Sequence, residues 1–234
     1  MSKSKRQRLG QHFLKSKGIA LAIVDSAGLT KKDTVLEVGT GKGILTPLLC
    51  KKAGSVVSVE SDERLYSEAI LGLSQTKNLE LMYGDGFGLD VDFTVFVSNL
   101  PYSESRNAIE WLAKKKFSHA VIMVQKEFAE KLLEEGRQMR AISVIANHAF
   151  EMEKIMLVNK NSFDPPPKVD SVVLRLKQKH KVSPNFIGSI NKLFSYRRKT
   201  VSNIAKKFGK KIQSDKRLEE LKGDEIIKLA KQII

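Results

Sequence analysis

Two short segments hold the residue types best suited to chemistry: Glu37-Val-Gly39-Thr-Gly41-Lys-Gly43 and Asn99-Leu100-Pro101-Tyr102. Three alternating glycines let a backbone turn through positive φ and approach a ligand closely. The spacing is G-x-G-x-G. The dinucleotide fingerprint G-x-G-x-x-G needs glycine at 44, where Ile44 stands. Acids follow at Glu60 and Asp85. A carboxylate at 60 can accept both hydroxyl protons of a ribose. One at 85 can accept from the exocyclic amine of an adenine. With Glu37 they make three acids at successive expected strand ends, the edge where open α/β sheets bind ligands. This pattern suits S-adenosylmethionine better than NAD, which is the poorer reading.

The second segment suits a planar amine as methyl acceptor. The lone pair of an adenine N6 is delocalised into the ring and is a weak nucleophile. The side-chain oxygen of Asn99 and the backbone carbonyl of Leu100 can each accept one N6 hydrogen, which draws the nitrogen toward tetrahedral. Pro101 fixes φ and aims the carbonyl. Tyr102 can stack on the base, worth roughly 1–3 kcal/mol. No strong base is needed, because the product ammonium is acidic.

Such residues need elements to position them. Short β-branched runs predict strands over 34–38, 55–60, 79–83, 93–98 and 120–124, with last strands over 155–158 and 171–176. Helical patterns fall over 19–27, 44–52, 62–73, 105–116 and 126–135, and then over 186–194, 200–208 and 224–233. Residues 1–18 read as an arm or loop. Alternating strands and helices indicate an α/β domain with a mostly parallel sheet. A charge shift and Ser183-Pro184 set a boundary near 180, giving a catalytic domain over 1–180 and a small helical domain over 181–234.

The 234 residues carry a net charge of +15, unevenly spread. Residues 1–30 contribute +5, residues 31–180 only +1 and residues 181–234 contribute +9. A near-neutral centre between basic ends is the footprint of a ligand-binding core flanked by polyanion-binding surfaces. Lys3, Lys5, Arg6 and Arg8 suit a mobile arm. Phe194 and Phe208 read as core anchors of the small domain rather than stacking platforms. No apolar run is long enough to span a bilayer, and no apolar segment of a signal peptide follows the basic start. The lone Cys50 excludes an internal disulfide and fits a reducing, cytoplasmic compartment. The four histidines are scattered and lack cysteine partners, so no metal site is expected.

The chain resembles the small-subunit ribosomal RNA adenine dimethyltransferases (KsgA-type), relatives of the resistance methyltransferases of large-subunit rRNA. The matching segments are Gly10 to Leu14 (GQHFL), Glu37 to Thr46, Glu60, Gly84-Asp85, Asn99 to Tyr102, Gln125 to Glu127, Phe163 to Ser171 (FDPPPKVDS) and Tyr196 to Thr200 (YRRKT). NLPY together with FDPPPKVDS is specific, and both favour the small-subunit enzymes. The resemblance implies a Rossmann-like class I methyltransferase sheet with helices on both faces. It implies S-adenosylmethionine-dependent dimethylation of N6 on two adjacent adenines, in a hairpin loop near the 3′ end of small-subunit rRNA. It assigns Gln11, His12, Leu14, Gly39, Gly41, Glu60, Asp85 and Asn99 to the cofactor. Phe163 matches an aromatic facing Tyr102 across the target adenine, and Arg197, Arg198 and Lys199 fall to RNA. The partner implied is small-subunit rRNA or the assembling subunit, met by a monomer. Thr40 stands where the family has proline, and Glu104 where an apolar residue is common. Ala141 stands where an arginine is usual. That last departure leaves a second reading, an RNA-binding assembly factor with weak catalysis.

Overall fold

The computed structural model describes residues 11–134, 136 and 139–233. The basic residues at 3, 5, 6 and 8 lie outside them.

The chain forms strand β1 (Phe13–Leu14) and helix α1 (Lys17–Ser26), then β2 (Thr34–Val38) and α2 (Thr46–Lys52). Next come β3 (Ser55–Glu60), α3 (Glu63–Leu73), β4 (Leu79–Tyr83) and β5 (Val95–Asn99). A 3-10 turn over Tyr102–Glu104 leads into α4 (Ser105–Lys114), β6 (His119–Gln125), α5 (Lys126–Leu133) and α6 (Ala141–Ala149). Strands β7 (Phe150–Val158), β8 (Phe163–Asp164) and β9 (Ser171–Gln178) follow, then α7 (Pro184–Phe194), α8 (Val201–Lys207) and α9 (Gly223–Ile233).

Seven strands make one sheet in the order β4-β3-β2-β5-β6-β9-β7. The five strands from β4 to β6 are parallel, and β9 runs antiparallel to β6. This is the expected Rossmann-like sheet with helices on both faces. Its order reverses between β2 and β5, and ligands bind such sheets at that switch point, beyond the carboxyl strand ends. β2 and β5 are buried almost throughout, as strands covered on both faces must be.

Local chemistry sets the element ends. The Asp62 carboxylate accepts from the N–H groups of Arg64 and Leu65 and so caps α3. Ser16 caps α1 and Ser183 caps α7 in the same way. Three elements differ from the sequence reading. The supposed arm contains β1, which pairs antiparallel with β8 (Phe13 opposite Asp164, Leu14 opposite Phe163). The strand expected at 155 starts at Phe150. Helix α6 was not foreseen: its residues are buried almost all round, so no amphipathic stripe marks it.

The chain divides into two compact units. One takes the chain up to Ala108, Lys116–Lys126 and Met152–Lys177. Its core gathers Ile23, Val35, Leu49, Val56, Val95, Val121 and Phe163. The other takes Ile109–Lys115, Glu127–Glu151 and everything from Gln178 onward. There α7 packs against α6 and α9, burying Ile145, Ile190 and Leu229.

Candidate active site

The turn after β2 is built on glycine. Gly39, Gly41 and Gly43 have φ of 90°, 57° and 71°, a region that side chains with a Cβ rarely adopt. The Gly39 N–H donates to the Val59 carbonyl at 2.7 Å, which ties the turn to β3.

Glu60 ends β3 and is 5% exposed. One carboxylate oxygen accepts from the Gly41 N–H at 2.8 Å, the other from the Asp62 N–H at 2.9 Å. A carboxylate oxygen has two lone pairs, so each keeps room for a ligand hydroxyl. Asp85 follows β4 and is exposed, with Oδ1 accepting from the Phe87 N–H. Next to it, Gly86 cannot carry a side chain in this conformation, since a Cβ would lie 2.6 Å from a Val38 methyl.

Glu37 is buried behind the turn. Its Oε2 accepts from the hydroxyls of Ser58 (2.6 Å) and Thr46 (2.7 Å). The hydroxyls of Ser58 and Thr40 are 2.7 Å apart. Thr40 therefore extends a buried polar chain that a proline could not join. Burial pushes the Glu37 carboxyl up to about 7, opposed by the two hydroxyls and aided by the Glu60 charge.

At the end of β5, the Ser98 hydroxyl donates to the Val38 carbonyl and clamps the two central strands together. Asn99 follows, half-buried, then Leu100, Pro101 and Tyr102. The Tyr102 hydroxyl lies 2.8 Å from Ser171 Oγ. Burial pushes the Tyr102 hydroxyl above its usual 10, partly offset by Ser171. His12 stands beside it, with ring centroids 5.5 Å apart. His12 Nδ1 is 2.8 Å from the Pro165 carbonyl. A carbonyl only accepts, so Nδ1 carries the proton.

These residues line one cavity of about 310 Å³, inside the range of small-molecule sites. Gln11, His12, Leu14, Gly39, Gly41, Glu60, Asp85, Asn99, Leu100, Pro101 and Tyr102 all face it. Phe163 does not. It is 1% exposed and packs in the apolar cluster with Leu14 and Val158. Arg197, Arg198 and Lys199 lie in the other unit, on a turn tied by backbone hydrogen bonds to Leu218 and Glu219. There Lys207 lies 5.3 Å above the Tyr196 ring and Lys192 lies 5.0 Å above the Phe208 ring. Phe194 and Phe208 are only half-buried.

Sequence reasoning passed over Lys42, which reaches Asp164 at 3.7 Å and lies 5.0 Å above the Phe13 ring. Glu104, noted only as a departure, also lines the cavity. Gly86 had a visible signal in Gly84-Asp85-Gly86, while Ser171 had none beyond its motif.

The cavity fits an adenosine-bearing cofactor on its own features. Gln11 Oε1 is buried and has no hydrogen-bond partner among the described residues, so it is an acceptor awaiting a donor. Space stands open where Gly39 would carry a Cβ. The Glu60 carboxylate offers the acceptors that a ribose diol requires.

A model of the family described as "Ribosomal RNA adenine dimethylase" matches residues 2–233. The chain is 36% identical over 233 residues to "Ribosomal RNA small subunit methyltransferase A" of Thermotoga neapolitana, covering 96% of this chain and 90% of that protein. Among solved structures, a dimethyladenosine transferase from Plasmodium falciparum superposes with a TM-score of 0.78 at 29% identity, covering 93% of this chain and 96% of that one. The 23S rRNA methyltransferase ErmE superposes with a TM-score of 0.69 at 24% identity, covering 94% and 99%, a likeness of fold.

Proposed function

The chain belongs to the ribosomal RNA adenine dimethylase family, and from that premise we propose how its residues dimethylate adenine N6 in small-subunit rRNA with S-adenosylmethionine. The observation that carries the reading is the meeting of Glu60, the glycine turn and Asn99–Tyr102 in one cavity.

Glu60 accepts from the ribose hydroxyls, Asp85 from the adenine amine of the cofactor, and Gln11 from a further donor. His12, Leu14 and the backbone at Gly39 and Gly41 complete the cradle. The bound cofactor supplies an electrophilic methyl group. Asn99 and the Leu100 carbonyl hold the target amine by its two hydrogens, and Tyr102 carries the base. A loop adenine is an economical target, because an unpaired base is easily turned out of its stack. We assign the substrate to two adjacent adenines in a hairpin loop near the 3′ end.

Residues 181–234 form the part that holds RNA, with Arg197, Arg198 and Lys199 on phosphates. The support is their +9 charge against +1 over residues 31–180. The enzyme works as a monomer in the cytoplasm. No described helix is long and apolar enough to cross a membrane.

The test is incubation of labelled cofactor with unmodified small subunits, followed by primer extension. Stops at two adjacent loop adenines are expected. A folded, cofactor-bound protein that produces no stop sinks the assignment.

A further inference from the structure

The motif segment Phe163–Ser171 reaches both rings at the cavity. The Pro165 carbonyl accepts a hydrogen bond from His12 Nδ1 at 2.8 Å, and the Ser171 hydroxyl meets the Tyr102 hydroxyl at 2.8 Å. We propose that Ser171 is a positioning residue for methyl transfer, holding the Tyr102 ring at the place where it receives the target base. This rests on the reading of Tyr102 as that platform.

Ser171 is built to hold still. It is fully buried and opens β9, paired in register with Gln125 of β6. Its neighbour Asp170 is fastened twice: its carbonyl accepts from the Lys126 N–H at 3.0 Å, and its Oδ1 from the Lys160 N–H at 2.9 Å. Tyr102 sits outside the sheet: it begins a single 3-10 turn after Pro101, with its carbonyl accepting from the Ser105 N–H. The hydroxyl oxygen lies on the ring's long axis, so holding it at Ser171 stops the ring from swinging about the Cα–Cβ bond. A buried serine hydroxyl is costly unless bonded, so packing alone would favour alanine at 171.

His12 closes the other side. At 5.5 Å between centroids and 34° between planes, His12 and Tyr102 pack on each other. That separation is one of direct ring contact, which leaves no room for a base between them. The base therefore meets Tyr102 on its remaining face; His12 limits the tilt of that face and Ser171 sets where it lies.

The experiment compares S171A, S171T, Y102F and the S171A/Y102F double variant of the full chain on unmodified small subunits. Binding of a loop oligonucleotide carrying 2-aminopurine at the target position is followed in parallel, since stacking quenches its fluorescence. S171A and Y102F should each lower kcat about three- to tenfold, the value of one neutral hydrogen bond. The KM for the cofactor should not move. The double variant should be no slower than either single, because both remove the same bond. S171T, which keeps the hydroxyl, should recover activity, and the quench should weaken in S171A. An S171A enzyme with wild-type kcat and quench overturns the proposal. So do single losses that multiply in the double variant, or a cofactor KM that rises as far as kcat falls. Wild-type binding without any quench overturns the platform reading as well. A wild-type protein that quenches but methylates nothing refutes the reaction assignment while S171A still decides the positioning.

Discussion

Glu37 offers a direct test of the buried polar chain behind the glycine turn. Its carboxyl is held from the usual 4.5 up to about 7. The folded state therefore keeps a proton that the unfolded state has lost across that window. Stability from this group is fully present below about 4.5 and is lost as pH rises through about 7. The difference corresponds to about 3 kcal/mol once the carboxylate is ionised in both states. The perturbation is E37Q, which stays neutral at every pH and offers an amide oxygen to Ser58 and Thr46. Any fixed cost of burying the amide shifts the two curves by a constant and leaves their divergence unchanged. His148 acts the other way, since burial and the neighbouring His180 hold it below its usual range. It is present in both proteins and cancels. The assay is urea denaturation of wild type and E37Q from pH 4.5 to 8.5. Relative to wild type, E37Q should gain about 3 kcal/mol from the acid to the alkaline end. A gap that does not change with pH refutes the claim that Glu37 ionises only at a cost.

Three further outcomes follow from the same geometry. E60Q turns one acceptor toward the Gly41 or Asp62 N–H into a donor; losing one bond to a charged group, about 1.5–3 kcal/mol, should raise the cofactor Kd at least tenfold by calorimetry. An unchanged Kd would remove Glu60 from the site. G86A forces a Cβ to 2.6 Å from Val38, so thermal unfolding should show about 1–3 kcal/mol lost, and wild-type stability would mean that the turn has room to shift. Replacing Arg197, Arg198 and Lys199 by glutamine should flatten the slope of log affinity against log salt by about 2 for a single-stranded target, with cofactor Kd unaltered; a loss of cofactor affinity would break the division between cofactor-holding and RNA-holding residues.

The strand positions and the residues at their ends were legible because each rests on local signals. β-branched runs ended by glycine or acid gave the strands, and the strand ends gave the acids. What stayed hidden depends on three-dimensional context. Helix α6 is buried on nearly every side, so its sequence carries no stripe. β1 and β8 have two residues each, and only their mutual pairing makes them strands. An aromatic at 163 reads the same whether it faces a ligand or the core, and here it is core. The tie between Tyr102 and Ser171 spans 69 positions, which no periodicity can reveal.

The Asn99–Tyr102 turn itself is poor in groups that exchange protons, and the chemistry accounts for this. Asn99 and the Leu100 carbonyl are neutral acceptors, Pro101 has no polar side chain, and burial moves the Tyr102 hydroxyl further from ionisation. Neutral acceptors orient an amine without removing its proton, and the proton leaves readily once the nitrogen has become an ammonium. A strong base there would add nothing at the slow step. Glu37, Glu60 and Asp85 sit instead at the ends of β2, β3 and β4, where they tie the glycine turn or line the cavity. Orientation thus falls to rigid parts: the Ser98 clamp on Val38, the Pro101 turn and the hydroxyl of Ser171. Rate in such a site depends on geometry more than on acidity.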